Sequence, residues 1–262
     1  MIRINQVKLP VEHTTEALHK KVQELLKYKG SMDVEIVKRS LDARKKPQLF
    51  YVYMLDVTIP EKEERKLLKR CRSSQIQKVE PVKYVFPVKH YEGQKRPVIV
   101  GMGPAGLFCG YVLAKAGFRP ILLERGKCVE ERNRDVEAFW KTGHLNTESN
   151  VQFGEGGAGT FSDGKLNTLI KDKYGRNKEV LRIFVKHGAP KEILYDYKPH
   201  IGTDILKEIV RSMREEILAS GGDVRFETRV TDLLIADGRI KGLVLNGQEE
   251  LLAEHVVLAL GH

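Results

Sequence analysis

Three glycines, Gly101, Gly103 and Gly106, stand in the spacing G-x-G-x-x-G directly after the apolar run Val98–Val100. The first glycine lets the chain turn sharply off a strand. The second lets a pyrophosphate approach the main chain, and the third lets the next helix pack close to the strand. Pro104 and Ala105 fall in the first turn of that helix, where free N–H groups and the positive end of the helix dipole favour phosphate. Glu124 follows a second apolar run, Ile121–Leu123, 18 residues past Gly106. A carboxylate there accepts hydrogen bonds from ribose hydroxyls and repels a 2′-phosphate. Arg125, its neighbour, opposes that repulsion and is itself a candidate for the nucleotide. Strand, glycines, helix, second strand and terminal acid form one βαβ unit, so the chemistry expected first is dinucleotide binding. An ordinary crossover with a glycine-rich turn is the alternative.

A second stretch, Asn150–Thr168, reads NVQFGEGGAGTFSDGKLNT and contains five glycines, Gly154, Gly156, Gly157, Gly159 and Gly164. Such a segment cannot build a core, but its backbone can come close to a flat ring or a phosphate. Lys165 is its one cation, suited to stabilising negative charge on a reduced flavin ring. A flexible surface loop is the other reading. His200 is a candidate acid or base, although a lone histidine more often serves structure.

The blocks NVQFGEGGAGTFSDGKL and KPHIGTDIL (Lys198–Leu206) resemble a bacterial family of FAD-dependent dehydrogenases, often labelled NAD-utilising, whose substrates are poorly defined. The resemblance covers the whole chain. It implies FAD as cofactor, NAD(P)H as a candidate electron donor, an undefined small-molecule substrate, and hydride or electron transfer as the reaction. It places Gly156, Gly157, Gly159, Thr160, Ser162 and Lys165 against the flavin. Val230 matches the position whose backbone holds the adenine. Ala259-Leu260-Gly261 resembles the A-T-G ending of the superfamily's fourth strand with Leu260 replacing Thr, which makes Ala259 and Gly261 cofactor candidates. Two other functions stay open: an NAD enzyme without flavin, and an RNA-directed flavoprotein or RNA-binding module.

The elements that must position these residues divide at a charge boundary. Residues 1–90 hold 20 Lys+Arg and 11 Asp+Glu, which leaves residues 91–262 only one unit of the chain's net +10. Residues 1–90 read as a ferredoxin-like βαββαβ domain: strand Ile2–Leu9, a helix from Thr14 or Thr15 to about Tyr28, strands Val34–Leu41 and Leu49–Ile59, helix Glu61–Cys71, and strand Val79–Phe86. Tyr51 and Tyr53 share one face of the third strand, where RNA-binding domains place stacking aromatics. Lys89–Arg96 reads as a linker. Residues 91–262 read as a Rossmann-type FAD/NAD(P)-binding domain. Helices are expected at Glu130–Lys141, where Trp140 should pack, and at Asn177–His187. A third helix is capped by Thr203 and carries the apolar face Ile205, Leu206, Ile209, Val210, Met213 and Ile217. Strand Val224–Ile235 opens a β-meander through the turns Asp237-Gly238 and Asn246-Gly247, and a buried parallel strand closes at Val256–Leu260.

Composition narrows the setting. No secretory core appears in residues 1–20, and the uncharged run Val98–Ala114 is the glycine-rich turn and its flanks, so no membrane partner is expected. Cys71, Cys109 and Cys128 form no C-x-x-C, which argues against a disulfide reductase and a zinc site and favours a reduced, cytoplasmic protein. Relatives continue past the last strand. The chain therefore reads as the N-terminal portion of a longer flavoprotein whose remainder completes the pocket.

Overall fold

Apolar residues at alternate positions give strand β1 (Ile2–Pro10) in the computed structural model, which describes residues 1–71, 73–88, 90–166, 168 and 170–261. Lys89, Asn167 and His262, all within stretches read above, lie outside that set. The register of β1 shifts between Ile4 and Val7, with Gln6 at φ 55. This bulge keeps Ile2, Ile4 and Val7 on one buried face, which strict alternation would not. Helix α1 (Thr15–Leu26) begins at Thr14, whose hydroxyl accepts from Ala17 N at 3.2 Å. Strands β2 (Asp33–Lys45) and β3 (Gln48–Thr58) form a hairpin. Helix α2 (Glu61–Arg70) follows, with Glu61, Glu63 and Glu64 in its first turn and Lys69 and Arg70 in its last, as the helix dipole favours. The last strand, β4, is Ile76–Lys78.

The antiparallel order β2-β3-β1-β4 is that of a ferredoxin-like split βαβ fold. Its core joins Ile2, Ile4, Leu55 and Val57 to Leu18, Val22 and Leu26 of α1. Two expectations change. The sequence pattern puts the fourth strand at Val79–Phe86, but Pro81 cannot donate to a ladder, and β4 pairs three residues earlier with Ile2–Ile4. Tyr53 lies in the core at 4 % exposure and Tyr51 packs against it, so neither offers an open stacking surface.

The compact units are discontinuous in sequence, whereas the charge boundary suggested one division at 90/91. Met1–Tyr84, Leu166–Arg182 and Pro190–Pro199 form the first, and Val85–Lys165, Ile183–Ala189 and His200–His262 the second. Within the first, Arg39 N donates to Tyr195 O at 2.7 Å and Tyr197 N to Arg39 O at 3.0 Å, adding a short edge to β2. The Arg39 guanidinium holds both oxygens of Asp196, at 2.7 and 3.0 Å.

In the second unit, the residues read as a linker pack down: Tyr91 N donates to Ala116 O at 2.8 Å, and the Tyr91 ring stacks on Phe118 at 4.1 Å. Strand β5 (Val98–Val100), helix α3 (Pro104–Lys115) and strand β6 (Ile121–Leu123) form the expected βαβ unit. Helix α4 (Val129–Thr142) follows, with Trp140 exposed at 64 % rather than packed. Helix α5 (Arg176–Lys186) starts in the first unit and ends in the second. Helix α6 (Thr203–Ala219) buries Ile209, Val210, Met213 and Ile217. Its cap residue is Gly202, and Thr203 makes no capping bond.

The run Val224–Ile235 is two strands in two sheets. β7 (Asp223–Arg225) extends the parallel sheet, and β8 (Val230–Ala236) starts the meander with β9 (Arg239–Leu245) and β10 (Glu249–Leu252). The break falls at Glu227, φ 52. Asp237-Gly238 and Asn246-Gly247 both adopt positive φ, as two-residue hairpin turns require. Strand β11 (Val256–Leu258) completes the parallel order β11-β5-β6-β7 of a Rossmann-type unit. It lies at the sheet edge with Leu258 at 56 % exposure, not buried on both faces. Among the described residues no helix is long and apolar enough to cross a membrane.

Replacing Asp196 with Asn removes a charge-assisted pair from the first unit. Urea unfolding should show that unit destabilised by about 1–2 kcal/mol; an unchanged midpoint would show that the backbone edge alone holds the segment.

Candidate dinucleotide site

The site is built where β5 ends, α3 begins and β6 ends, at the carboxyl ends of the parallel strands and beside the reversal of strand order between β5 and β11, where such sheets bind ligands. Gly101 N donates to Leu123 O at 2.7 Å, closing the loop onto β6. The glycines differ in what they are for. A Cβ on Gly106 would sit 1.9 Å from Gly101 O, and one on Gly101 would sit 2.6 Å from Ala259 O, so the protein's own packing requires both. A Cβ on Gly103 would meet nothing within 4 Å, and Gly103 has an ordinary φ of −66. The first helical bond runs from Leu107 N to Gly103 O at 2.9 Å, leaving the N–H groups of Ala105 and Gly106 ahead of it in the turn that Pro104 opens.

Glu124 is 5 % exposed. Its carboxylate accepts from Met102 N at 2.8 Å and from Gly126 N at 2.9 Å. Each oxygen keeps acceptor capacity for a sugar hydroxyl. Arg125 turns to Glu148, at 3.0 and 3.1 Å, and lies 3.9 Å from the Phe153 ring centre, so its charge is committed beside the nucleotide loop.

The glycine-rich segment lies directly on this loop. Gly156 N donates to Met102 O at 2.8 Å, and a Cβ on Gly157 would stand 3.3 Å from the Gly103 Cα and 3.0 Å from Pro104 Cδ. Holding it there is Arg132, wholly buried. Its guanidinium donates to the carbonyls of Asn150 (2.8 Å), Val151 (2.8 Å), Glu155 (2.6 Å) and Gly157 (3.0 Å) and to Thr160 Oγ1 (3.2 Å). Burial pulls its pKa down to about 10, with Glu124 and Glu155 opposing. Glu155 is equally buried, accepting from Val129 N at 2.8 Å and Arg214 at 2.7 Å. Its remaining oxygen, Oε1, has no partner, and burial pushes the carboxyl up to about 7 despite Arg214.

Not every sequence candidate reaches this point. Thr160, 1 % exposed, donates to Gly157 O at 2.9 Å and serves the loop's own structure. Ser162 Oγ donates to Gly159 O at 3.0 Å, and Gly159 itself is open. Lys165 is exposed and ion-paired with Asp163 at 2.7 Å; it lies opposite His200 in an antiparallel bridge, with Ile201 N donating to Gly164 O at 2.9 Å. Val230 packs against the apolar cluster of parallel sheet and meander, two residues after Thr228, whose N–H donates to Glu124 O at 2.9 Å. Ala259 N donates to Val100 O at 2.8 Å beside Gly101, whereas Gly261 is exposed with φ 77. Arg132 and Glu155 were missed in the sequence. A small cavity of about 140 Å³ between α4 and α6, lined by Glu130, Lys207 and Arg211 among others, is a separate feature. Among the described residues no three His, Cys, Asp or Glu side chains converge as a metal site requires.

Comparison with known proteins adds context. Residues 1–58, ending with β3, match a family described as a domain of unknown function, DUF8436. An uncharacterized protein of Clostridium beijerinckii is 43 % identical over 265 residues, covering 100 % of this chain and 49 % of its own length. The chain therefore spans about half of that curated relative. The solved structure of Thermovibrio ammonificans THI4 overlaps 64 % of this chain and 58 % of its own at 22 % identity and a TM-score of 0.40. That of OTEMO in complex with FAD and NADP overlaps 64 % and 26 % at 14 % identity, with the same TM-score of 0.40.

Two outcomes test the site. Gly106→Ala forces a methyl into a backbone carbonyl and should cost about 2–3 kcal/mol or more. Gly103→Ala should change stability by less than about 1 kcal/mol while lowering dinucleotide affinity at least tenfold; equal effects of the two on stability would remove the distinction. The pH dependence follows from Glu155. A carboxyl raised to about 7 from 4.5 binds its proton more tightly folded than unfolded. Its contribution is present below pH 4.5 and is lost as the pH rises through about 7, an effect of order 3 kcal/mol. Chemical unfolding across that window should show the decline, and Glu155→Gln should flatten it.

Proposed function

We propose that this chain carries the FAD-binding part of a flavin-dependent oxidoreductase. The observation that carries the reading is Gly103: it has no side chain, although neither packing nor backbone conformation forbids one. That empty space lies at the start of α3, beside a buried carboxylate and under a glycine-rich loop. A pyrophosphate laid there meets the helix N-terminus and the N–H groups of Ala105 and Gly106. Glu124 takes the ribose hydroxyls, its carboxylate already oriented by two backbone N–H groups. It also disfavours a 2′-phosphate, since Arg125 is occupied by Glu148. The loop from Gly154 to Gly159 supplies close backbone approach for a flat ring. When bound, FAD supplies hydride or electron transfer; the residues here bind, orient and exclude water. Lys165 and His200, side by side across the bridge, are the candidates for moving a proton to or from a substrate. A flavin-free NAD enzyme would have less use for a loop packed so closely on the nucleotide turn.

Titration of FAD into apoprotein, read by quenching of flavin fluorescence, tests the assignment. Glu124→Ala should lower FAD affinity at least tenfold, since it removes charge-assisted bonds. Unchanged affinity would take Glu124 out of the site. A protein that binds NAD and never FAD would establish the flavin-free reading instead.

A further inference from the structure

The chain's net positive charge lies entirely in one compact unit. The first unit holds 26 Lys+Arg against 15 Asp+Glu, and the second 19 against 20. Part of the excess is brought by the inserted segment Leu166–Arg182, with five basic and two acidic residues. Net charge alone describes a solvated face as well as a binding one, but the inserted segments carry a second feature. Tyr174 and Tyr197 are 55 % and 62 % exposed. The Lys38 ammonium lies 4.4 Å from the centre of the Tyr197 ring. The Arg176 guanidinium lies 4.9 Å and the Lys173 ammonium 5.5 Å from that of Tyr174.

Both tyrosines sit on chain tied to β2. Tyr197 N bonds to Arg39 O, and Lys178 Nζ donates to Glu35 Oε1 at 2.7 Å. Three nearby carboxylates are engaged: Asp196 holds Arg39, Glu35 on β2 holds Lys178, and Asp172 accepts from Lys178 N at 3.1 Å. Lys173 and Arg176 are exposed and Lys38 is half-buried, and each lies against a ring rather than in an ion pair with these carboxylates. Flat exposed rings interleaved with ammonium and guanidinium groups are what single-stranded nucleic acid requires, since its bases stack on the rings while its phosphates meet the cations. A lipid surface would call for an apolar wedge rather than tyrosines standing among charges.

We propose that the first compact unit binds single-stranded nucleic acid, with bases stacked on Tyr174 and Tyr197 and phosphates against Lys38, Lys173 and Arg176. This is independent of the flavin reading.

Fluorescence anisotropy of the whole chain with labelled oligouridylate and oligothymidylate tests it, at about 50 and 200 mM salt. Affinity for at least one of them should fall more than tenfold across that range, and the tighter of the two identifies RNA or DNA. Tyr174→Ala and Tyr197→Ala should each weaken binding about tenfold, with thermal unfolding unchanged. Lys173→Ala with Arg176→Ala should reduce the salt slope by about 1–1.5. No binding at the lower salt overturns the proposal. So does wild-type affinity in both tyrosine variants, which would leave only a non-specific basic surface. Preferential binding to phosphatidylserine vesicles that neither oligonucleotide displaces also overturns it, in favour of a membrane surface.

Discussion

A guanidinium removed from water keeps its charge only where its N–H groups find acceptors and a counter-charge stands near. Arg132 meets both conditions, and the second unit's site depends on it. Its acceptors all lie between Asn150 and Thr160, in a segment too rich in glycine and polar residues to fold around a core of its own. The segment's carbonyls need donors when buried, and one side chain on α4 supplies donors to four of them. With the carbonyls of Glu155 and Gly157 held, Gly156 N can reach Met102 O, and the loop lies on the nucleotide turn. The negative charge comes from Glu124 and Glu155, so the acid at the end of β6 also helps to keep Arg132 ionised.

The legible parts of this site were those whose cause is local. Strand periodicity, the glycine spacing and the terminal acid place β5, α3 and β6 without reference to the rest of the chain, and the two hairpin turns are as local. Arg132 was not legible because it sits in VEERNRD, where alternating charge reads as a solvent face. One clue was present. Val129, Arg132 and Val136 recur at positions that share a helix face, and all three are buried. An arginine on an apolar stripe points inward, towards acceptors that the sequence does not name.

Where the reading failed, the deciding contact was distant. β4 takes its place from Ile2–Ile4, at the other end of the unit, and nothing within Val79–Phe86 reveals that competition. The alternation of Tyr51 and Tyr53 was plain, but which face the helices cover was not. Val224–Ile235 has no Gly or Pro to mark its change of sheet, and the turn at Glu227 is held by Thr228 N on Glu124 O. The Arg39–Asp196 pair spans 157 positions. A boundary drawn along the sequence could see the step in charge after residue 90, but not that later segments return to the first unit.

The glycines give the sharpest separation between what the fold requires and what a ligand requires. Of the 23 in the chain, most are explained by a positive φ or by a neighbour that a Cβ would strike. Gly103, Gly159 and Gly202 have neither explanation. Gly202 caps α6 and Gly103 caps α3, positions where glycine is an acceptable choice. Gly159, in the loop that lies on the Gly101–Gly106 turn, has no such cause in the protein's own packing or conformation. Glycine costs conformational entropy wherever it is ordered, and here an open cap beside an open loop glycine leaves the backbone accessible from solvent. The proposed FAD would use that access, with its phosphates at the Gly103 cap and its flat ring against the loop.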